Sequence, residues 1–299
     1  MLDRSVFLYD QQVPVALTVL SERAQDGATI QDVSYASPLG GLVSAYLIGS
    51  PASKPQAGLI FGHWGEGDRE EFVDEAVILA RLGFVSLCLD APFRRPVEYE
   101  PPEEPAQMDL QWIVDVRRAV DLLLDRFTLQ PERLGYVGHS FGASLGGVIA
   151  GIEHRIRAYV LMAGGYSATE IMRTSRHPGI VKERNAMTAE AFEAMLATEA
   201  PYDACHYIGH AAPSHLFFQF AHLDDFVSVK DAQRYFELAS APKQITWYGN
   251  CNHELSKEAR LDRVIWLCEQ LEVAPPQLAI RALLEQVSSP LPLEHWNDG

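Results

Sequence analysis

The stretch RLGYVGHSFGASLGG, residues 133–147, changes character at its serine. The apolar LGYVGH before Ser140 is typical of a buried strand, and the small residues after it are typical of a helix packed close to a sheet. A sharp turn between the two would hold Ser140 at its tip in a sparsely allowed backbone conformation. Gly138 and Gly142 would leave the space that such a turn needs. The stretch therefore predicts a strand, a strained turn that exposes Ser140, and a helix.

Apolar runs and amphipathic segments alternate on both sides of this turn. AGLIFG at 57–62 and FVSLCLD at 84–90 are continuous apolar runs, whereas DEAVILARLG at 74–83 has helical spacing and a closing glycine. Such strands, separated by helices, indicate a parallel sheet covered on both faces. TIQDVSYAS and GLVSAYLIG flank the turn PLGG and predict an antiparallel hairpin. The predicted fold class is α/β, with a mostly parallel, doubly wound sheet and an N-terminal antiparallel hairpin.

We predict one domain over residues 29–272, with an N-terminal extension at 1–28 and a C-terminal extension at 273–299 that contains a helix in QLAIRALLEQV. Residues 166–212 are too long for a simple connection, and AEAFEAMLATEA within them has helical spacing, so they predict a small helical cap. The large apolar residues of the cap either pack it onto the domain or line an adaptable acyl pocket. These residues are Ile171, Met172, Ile180, Met187, Phe192, Met195 and Leu196.

The composition limits the classes of partner. Hydrophobic residues make up 47% and charged residues 21% of the chain, which is typical of a globular protein. With 24 Lys and Arg against 40 Asp and Glu, the formal charge of −16 disfavours nucleic acid and anionic membranes as partners. No apolar run approaches the ~20 residues of a membrane-spanning helix, and the four cysteines show no CxxC spacing. We therefore expect a cytoplasmic protein with reduced thiols. The sequence is compatible with a homo-oligomer and does not determine the oligomeric state.

A serine hydroxyl becomes a good nucleophile only when a base removes its proton and a third group orients that base. A carboxylate follows the predicted strand HLFFQFAH, where Asp224 and Asp225 compete, and His253 follows the predicted strand KQITWYGN. His253 alone of the ten histidines lies in a loop after a strand downstream of these acids. His139, beside the serine, is predicted to be structural. The pattern predicts a serine hydrolase that forms an acyl-enzyme and needs no cofactor.

The segment CHYIGHAAPSH is a rival constellation that contains Cys205, His206, His210 and His215. His206 and His210 could share a helix face and bind a metal. The segment lacks the glutamate of H-E-x-x-H, and Pro213 would end a helix, so we predict no metal site. The glycine-rich loop FGHWGEGDRE matches neither G-x-G-x-x-G nor G-x-x-x-x-G-K-[ST], which disfavours phosphate binding there.

Together these motifs resemble the α/β-hydrolase superfamily, and within it the dienelactone hydrolase-like and acyl-peptide hydrolase or acetyl xylan esterase-like serine hydrolases. The resemblance rests on DVSYASPLGG, FGHWGEGDREEF, LCLDAPF, DVRRAVDLLLDR, RLGYVGHSFGASLGG, LDDFVSV and NHELS. The chain order Ser, Asp, His is that of the superfamily. Dienelactone hydrolases proper use a cysteine nucleophile, so Ser140 argues against a dienelactone substrate.

The resemblance implies roles for the site residues. Ser140 would be the nucleophile and His253 the base. Asp224 is favoured over Asp225 because it precedes Val227 by three residues, as in the D-x-x-V arrangement of the superfamily. The substrate would be a small-molecule ester or other acyl compound. A peptidase or amidase with the same triad and a non-catalytic binding protein on this fold are the alternatives.

The tetrahedral intermediate of such a reaction needs backbone N–H donors for its oxyanion. One would be the N–H of Phe141, the residue after the nucleophile. The other would come from the loop FGHWGEGDRE, where His63-Trp64-Gly65 stands in place of the His-Gly-x of related hydrolases. This alignment favours the N–H of Gly65 and leaves Trp64 as the alternative.

Overall fold

The computed structural model describes residues 4–273, and the helix predicted in QLAIRALLEQV lies outside them. The strands in this part of the chain are β1 Leu17–Gln25, β2 Ala28–Ala36, β3 Leu42–Gly49, β4 Ala57–Gly62, β5 Phe84–Leu89, β6 Leu134–His139, β7 Ala158–Met162, β8 His215–Ala221 and β9 Lys243–Tyr248. The α-helices in this part of the chain are α1 Val73–Arg81, α2 Pro105–Phe127, α3 Phe141–Ala150, α4 Ala168–Thr174, α5 Pro178–Asn185, α6 Ala189–Glu199, α7 Val229–Leu238 and α8 Lys257–Gln270.

The strands described form one sheet in the order β1-β2-β3-β5-β4-β6-β7-β8-β9. β1, β2 and β3 are antiparallel neighbours, β3 pairs antiparallel with β5, and all strand pairs from β5 to β9 are parallel. β4 to β7 are buried along their whole length, which explains why their sequences are continuous runs of apolar and small residues. The predicted mostly parallel α/β fold with an antiparallel N-terminal hairpin is confirmed.

Helices cover both faces of the sheet. Side chains of α2, α3 and α7 form one hydrophobic core with one face, and side chains of α1 and α8 form a second core with the other. Trp112 lies fully buried in the first core and Leu267 in the second. The carboxyl ends of the parallel strands meet at one edge of the sheet, and this edge is where ligands bind in open α/β folds.

The sheet extends into the segment predicted as an N-terminal extension. β1 pairs with β2 over its whole length. Most of its side chains are exposed, and its sequence LTVLSERAQ lacks the apolar and polar alternation that reveals a half-buried strand. Phe7 is buried against Tyr202 and Tyr207, with ring centroids 6.3 and 5.7 Å apart. Residues 4–28 therefore contribute to the sheet and to the core.

Helices α4 to α6 lie between β7 and β8, within the segment predicted as a cap. Asp203 ties the two ends of this segment together, because its carboxylate accepts hydrogen bonds from the hydroxyls of Ser167, at 2.8 Å, and Thr169. Of the seven apolar residues named above for this segment, Leu196 is buried and the other six are half-buried. Such partial burial is compatible with both predicted roles, packing and lining a pocket.

From the sequence we expect reduced thiols and no membrane-spanning helix. All four cysteines are free thiols, with Cys88 and Cys268 buried and Cys205 and Cys251 half-buried. Within residues 4–273, no helix is both long enough and apolar enough to cross a membrane.

Candidate active site

Ser140 lies in a strained turn between β6 and α3. Its backbone angles are φ 50° and ψ −106°, a conformation that side chains other than glycine rarely adopt. A Cβ atom on Gly138 would collide with the carbonyl oxygen of Gly142, and a Cβ atom on Gly142 would collide with that of Gly62 in β4. The prediction that both glycines provide clearance for this turn is confirmed.

Asp224 and His253 come together at the carboxyl ends of β8 and β9. The Nδ1–H of His253 donates to Asp224 Oδ2 at 2.8 Å. Asp224 Oδ1 accepts the backbone N–H groups of Phe226, at 2.8 Å, and Val227, at 2.9 Å, which orients the carboxylate. The side chain of Asp224 is 1% exposed, whereas Asp225 is exposed. Of the two acids in this loop, the structure brings Asp224 to His253.

The surroundings of His253 favour a neutral imidazole. Burial lowers its pKa below 6.5, and the positive charge of His139 adds to that effect, although the hydrogen bond to Asp224 opposes it. Because Nδ1 carries the proton that Asp224 accepts, Nε2 presents a lone pair. Nε2 is buried and has no hydrogen-bond partner in the described part of the chain. His253 can therefore accept a proton at Nε2.

Ser140 is half-buried at the turn after β6. His139, the residue before it, packs its ring on His253 with centroids 5.1 Å apart. Among residues 4–273, His253 Nε2 has no hydrogen-bond partner, so no hydrogen bond joins it to Ser140 Oγ. In resting catalytic sites this contact is often long and tightens when substrate is bound.

The contacts of the loop after β4 distinguish Trp64 from Gly65, the two candidates for the second oxyanion donor. The N–H of Trp64 donates to Glu71 Oε2 at 2.9 Å and is therefore engaged. Gly65 is exposed, and its N–H makes no hydrogen bond within the described residues. Phe141 is the first residue of α3, so its N–H has no acceptor within the helix. The N–H groups of Phe141 and Gly65 are thus the two that remain available.

His63 holds this loop in place. Its Nδ1–H donates to the carbonyl oxygen of Trp64 at 2.6 Å, and its Nε2 accepts the N–H of Ala91 at 2.9 Å. Burial lowers the pKa of His63, which keeps this tautomer neutral. The N–H of Gly142 also donates to the carbonyl oxygen of His63, at 3.2 Å. His63 therefore links the loop to β5 and to the start of α3.

No protein-family model matches the sequence, and a comparison with curated proteins found no match. Among solved structures, the chain is similar to an acetyl xylan esterase from Paenibacillus sp. R4, with a TM-score of 0.75 and 16% identity over 88% of this chain and 90% of that one. Acetyl xylan esterase 1 from Thermoanaerobacterium sp. JW/SL YS485 has a TM-score of 0.71 and 14% identity, over 90% and 92% of the two chains. The alpha/beta hydrolase GrgF from Penicillium sp. sh18 has a TM-score of 0.64 and 16% identity, over 81% and 99%.

The protein has the α/β-hydrolase fold. In this fold the nucleophile lies on a sharp turn between a strand and a helix, and the acid and the histidine follow it along the chain. Ser140, Asp224 and His253 occupy such positions here, after β6, β8 and β9. Their catalytic roles remain predictions.

The histidines of the segment CHYIGHAAPSH lie in different local structures. His206 and His210 end two separate short turns, Ala204–His206 and Ile208–His210, so they do not share one helix. Within residues 4–273, no three His, Cys, Asp or Glu side chains converge in a way that could hold a metal ion.

Sequence reasoning missed Glu71. It lies just before α1, and its carboxylate contacts both the loop after β4 and His139 at the end of β6. Glu71 is 68 residues from His139 in sequence, and the run DREEF around it is an ordinary acidic loop. Nothing in its local pattern indicates that contact.

Proposed function

We propose that this protein is a serine esterase that hydrolyses a carboxylic ester of a small molecule through an acyl-enzyme on Ser140. One observation carries the proposal: a buried aspartate holds the Nδ1–H of a buried histidine whose Nε2 lone pair has no partner in the described residues, and the residue before a serine on a strained turn packs against that histidine. This is the arrangement that activates a serine hydroxyl.

In the first half of the reaction, Ser140 Oγ attacks the carbonyl carbon of the ester while His253 Nε2 takes the hydroxyl proton. Asp224 stabilises the imidazolium that forms and keeps its ring in place. The C–O bond to the alcohol then breaks, and the alcohol leaves with the proton from His253 Nε2. The acyl group remains as an ester on Ser140.

In the second half, water attacks the acyl-enzyme and His253 again accepts and returns a proton, so that the acid leaves and Ser140 is restored. Both halves pass through a tetrahedral intermediate with a negative oxygen. The N–H groups of Phe141 and Gly65 would donate to that oxygen. The lowered pKa of His253 suits the proposal, because a neutral base is then present at neutral pH.

The structural neighbours support an ester as the substrate class, since two of the proteins compared above are acetyl xylan esterases. A short acyl group is therefore the first substrate to test. The rate of p-nitrophenyl acetate hydrolysis should fall by about 10⁴-fold or more in Ser140→Ala, because no other group replaces the nucleophile. Ser21→Ala, on the exposed face of β1, should hydrolyse the ester like the wild-type protein. Equal rates in Ser140→Ala and wild type would exclude the proposed mechanism.

A further inference from the structure

A second histidine and carboxylate lie beside Asp224 and His253. His139 Nδ1 lies 2.6 Å from Glu71 Oε1, and its Nε2 lies 3.0 Å from the backbone carbonyl oxygen of His253. The side chain of His139 is 4% exposed and that of Glu71 is 11% exposed. The proposed reaction gives neither residue a chemical step.

The contacts of His139 determine its charge. A backbone carbonyl oxygen can only accept a hydrogen bond, so His139 Nε2 must carry a proton. Nδ1 faces a carboxylate whose other oxygen already accepts the N–H of Trp64. An imidazolium that donates from Nδ1 to an ionised Glu71 and from Nε2 to the carbonyl oxygen of His253 satisfies every one of these contacts.

The electrostatic surroundings agree with this geometry. Burial would lower the pKa of His139, but the charge and hydrogen bond of Glu71 and the carbonyl of His253 overcome that effect and raise the pKa above 6.5, against a small opposing effect of Arg263. Three neighbouring side chains affect the pKa of His253. Asp224 and Glu71 favour its charged form, whereas His139 disfavours it.

The pair joins three segments of the site that are distant in sequence. His139 directly precedes Ser140 on the turn after β6. Its Nε2 holds the backbone of His253, which is 114 residues away, and Glu71 holds the N–H of Trp64, the residue before Gly65. Nucleophile, base and oxyanion donor thus meet through one buried ion pair.

We propose that Glu71 and His139 are positioning residues of the esterase site, in which the charged His139 fixes the backbone of His253 and Glu71 fixes the oxyanion loop through Trp64. This inference rests on the function proposed above. The positive charge of His139 has a second effect, since it helps keep His253 neutral and able to accept a proton.

The first test needs no activity. In protein labelled with isotopic histidine, the ring of His139 should titrate by nuclear magnetic resonance with a midpoint above 6.5, and Glu71→Gln should lower that midpoint. Glu70→Gln is the matched control, because the Glu70 carboxylate accepts a hydrogen bond from the Tyr46 hydroxyl instead, and it should leave the titration unchanged. A midpoint at or below 6.5 in the wild-type protein, or one that Glu71→Gln does not move, overturns the ion pair.

The second test is the pH profile of kcat/KM for p-nitrophenyl acetate. His139→Gln removes a positive charge and leaves Glu71, so the acidic midpoint of the profile should rise, and kcat should fall about 10- to 100-fold with a smaller change in KM. The double variant Glu71→Gln with His139→Gln should return the midpoint toward the wild-type value, because the net charge of the pair is restored to zero. A purely structural role predicts lower activity with an unshifted midpoint in both variants, and that result overturns the proposal.

The two failures are distinguishable. If Ser140→Ala hydrolyses the ester as fast as the wild-type protein, the esterase function fails and the positioning role fails with it. If activity depends on Ser140 but the midpoint of His139→Gln is unshifted, only the positioning role fails. If His139→Gln does not fold, the test of the positioning role uses Glu71→Gln alone. We expect the same loss in kcat in that variant, together with a lowered titration midpoint for His139.

Discussion

Two carboxylate and histidine pairs lie side by side in this site, and they differ in charge. In both, a histidine Nδ1 contacts a carboxylate oxygen, at 2.8 Å for Asp224 with His253 and at 2.6 Å for Glu71 with His139. Yet the pKa of His253 is lowered and that of His139 is raised. Burial acts in the same direction on both rings and therefore cannot explain the difference.

The second ring nitrogen contributes to the difference, and so does charge, because Glu71 raises the pKa of His139 and the charge of His139 lowers the pKa of His253. His139 Nε2 faces a carbonyl oxygen, which requires a proton, whereas His253 Nε2 has no partner in the described chain and keeps its lone pair. The carboxylates differ too, because Asp224 uses its other oxygen to accept the N–H groups of its own loop, while Glu71 accepts the N–H of Trp64. A contact between a histidine and a carboxylate thus does not identify a general base unless the far nitrogen is free.

The largest expected effect tests the first pair. Asp224→Asn should lower kcat/KM for p-nitrophenyl acetate by about 10³- to 10⁴-fold, because an amide cannot stabilise the imidazolium and favours the wrong tautomer of His253. Asp225→Asn is the matched control and should change kcat/KM by less than about threefold, since the exposed Asp225 does not contact His253. The opposite ranking would assign the acid to Asp225.

The next effect tests the loop that Glu71 holds. Gly65→Pro removes the N–H that we assign to the oxyanion and should lower kcat by about 10²- to 10³-fold. Gly65 is the second residue of a turn closed by the N–H of Gly67 and the carbonyl oxygen of Trp64, a position that proline favours. Gly65→Ala keeps the N–H and places its Cβ in open space, so it should stay active. Full activity in Gly65→Pro would return Trp64 as the candidate donor.

The smallest effect concerns the stability of the second pair. Glu71→Gln should lower the free energy of unfolding by about 2 kcal/mol below pH 6.5, as measured by urea denaturation. The pKa of His139 is raised in the folded state, so its stabilisation is fully present below 6.5 and is lost as the pH rises through the raised pKa. The difference between variant and wild type should therefore shrink at alkaline pH. A difference that grows with pH would contradict a charged His139.

The sequence was sufficient to predict the first pair and insufficient to predict the second. Ser140, Asp224 and His253 each follow a recognisable strand, and parallel strands bring their carboxyl ends to one edge of the sheet. His139 and Glu71 meet only because the loop between β4 and α1 lies beside the end of β6, the strand that pairs with β4. The sequence prediction of a structural His139 did not include its contact with Glu71, because neither residue has a local pattern that points to the other.

The edge strand β1 was harder to predict for a related reason. β1 is a strand because its backbone pairs with β2, while its exposed side chains carry almost no pattern of burial. Burial patterns reveal strands that contribute to a core, such as β4 and β6, and pass over an exposed edge strand. The preference for Gly65 over Trp64 as the candidate donor depends on the coordinates, because only they show that the N–H of Trp64 is engaged by Glu71.

The most direct measurement asks which residue becomes covalently modified. A fluorophosphonate probe reacts with a serine only when a neighbouring base activates its hydroxyl. After incubation with the probe, digestion and mass spectrometry should place the adduct on Ser140 in the wild-type protein, with no adduct in Ser140→Ala and much slower labelling in Asp224→Asn. An unlabelled Ser140 in the folded wild-type protein, or an adduct on another serine, would contradict the account.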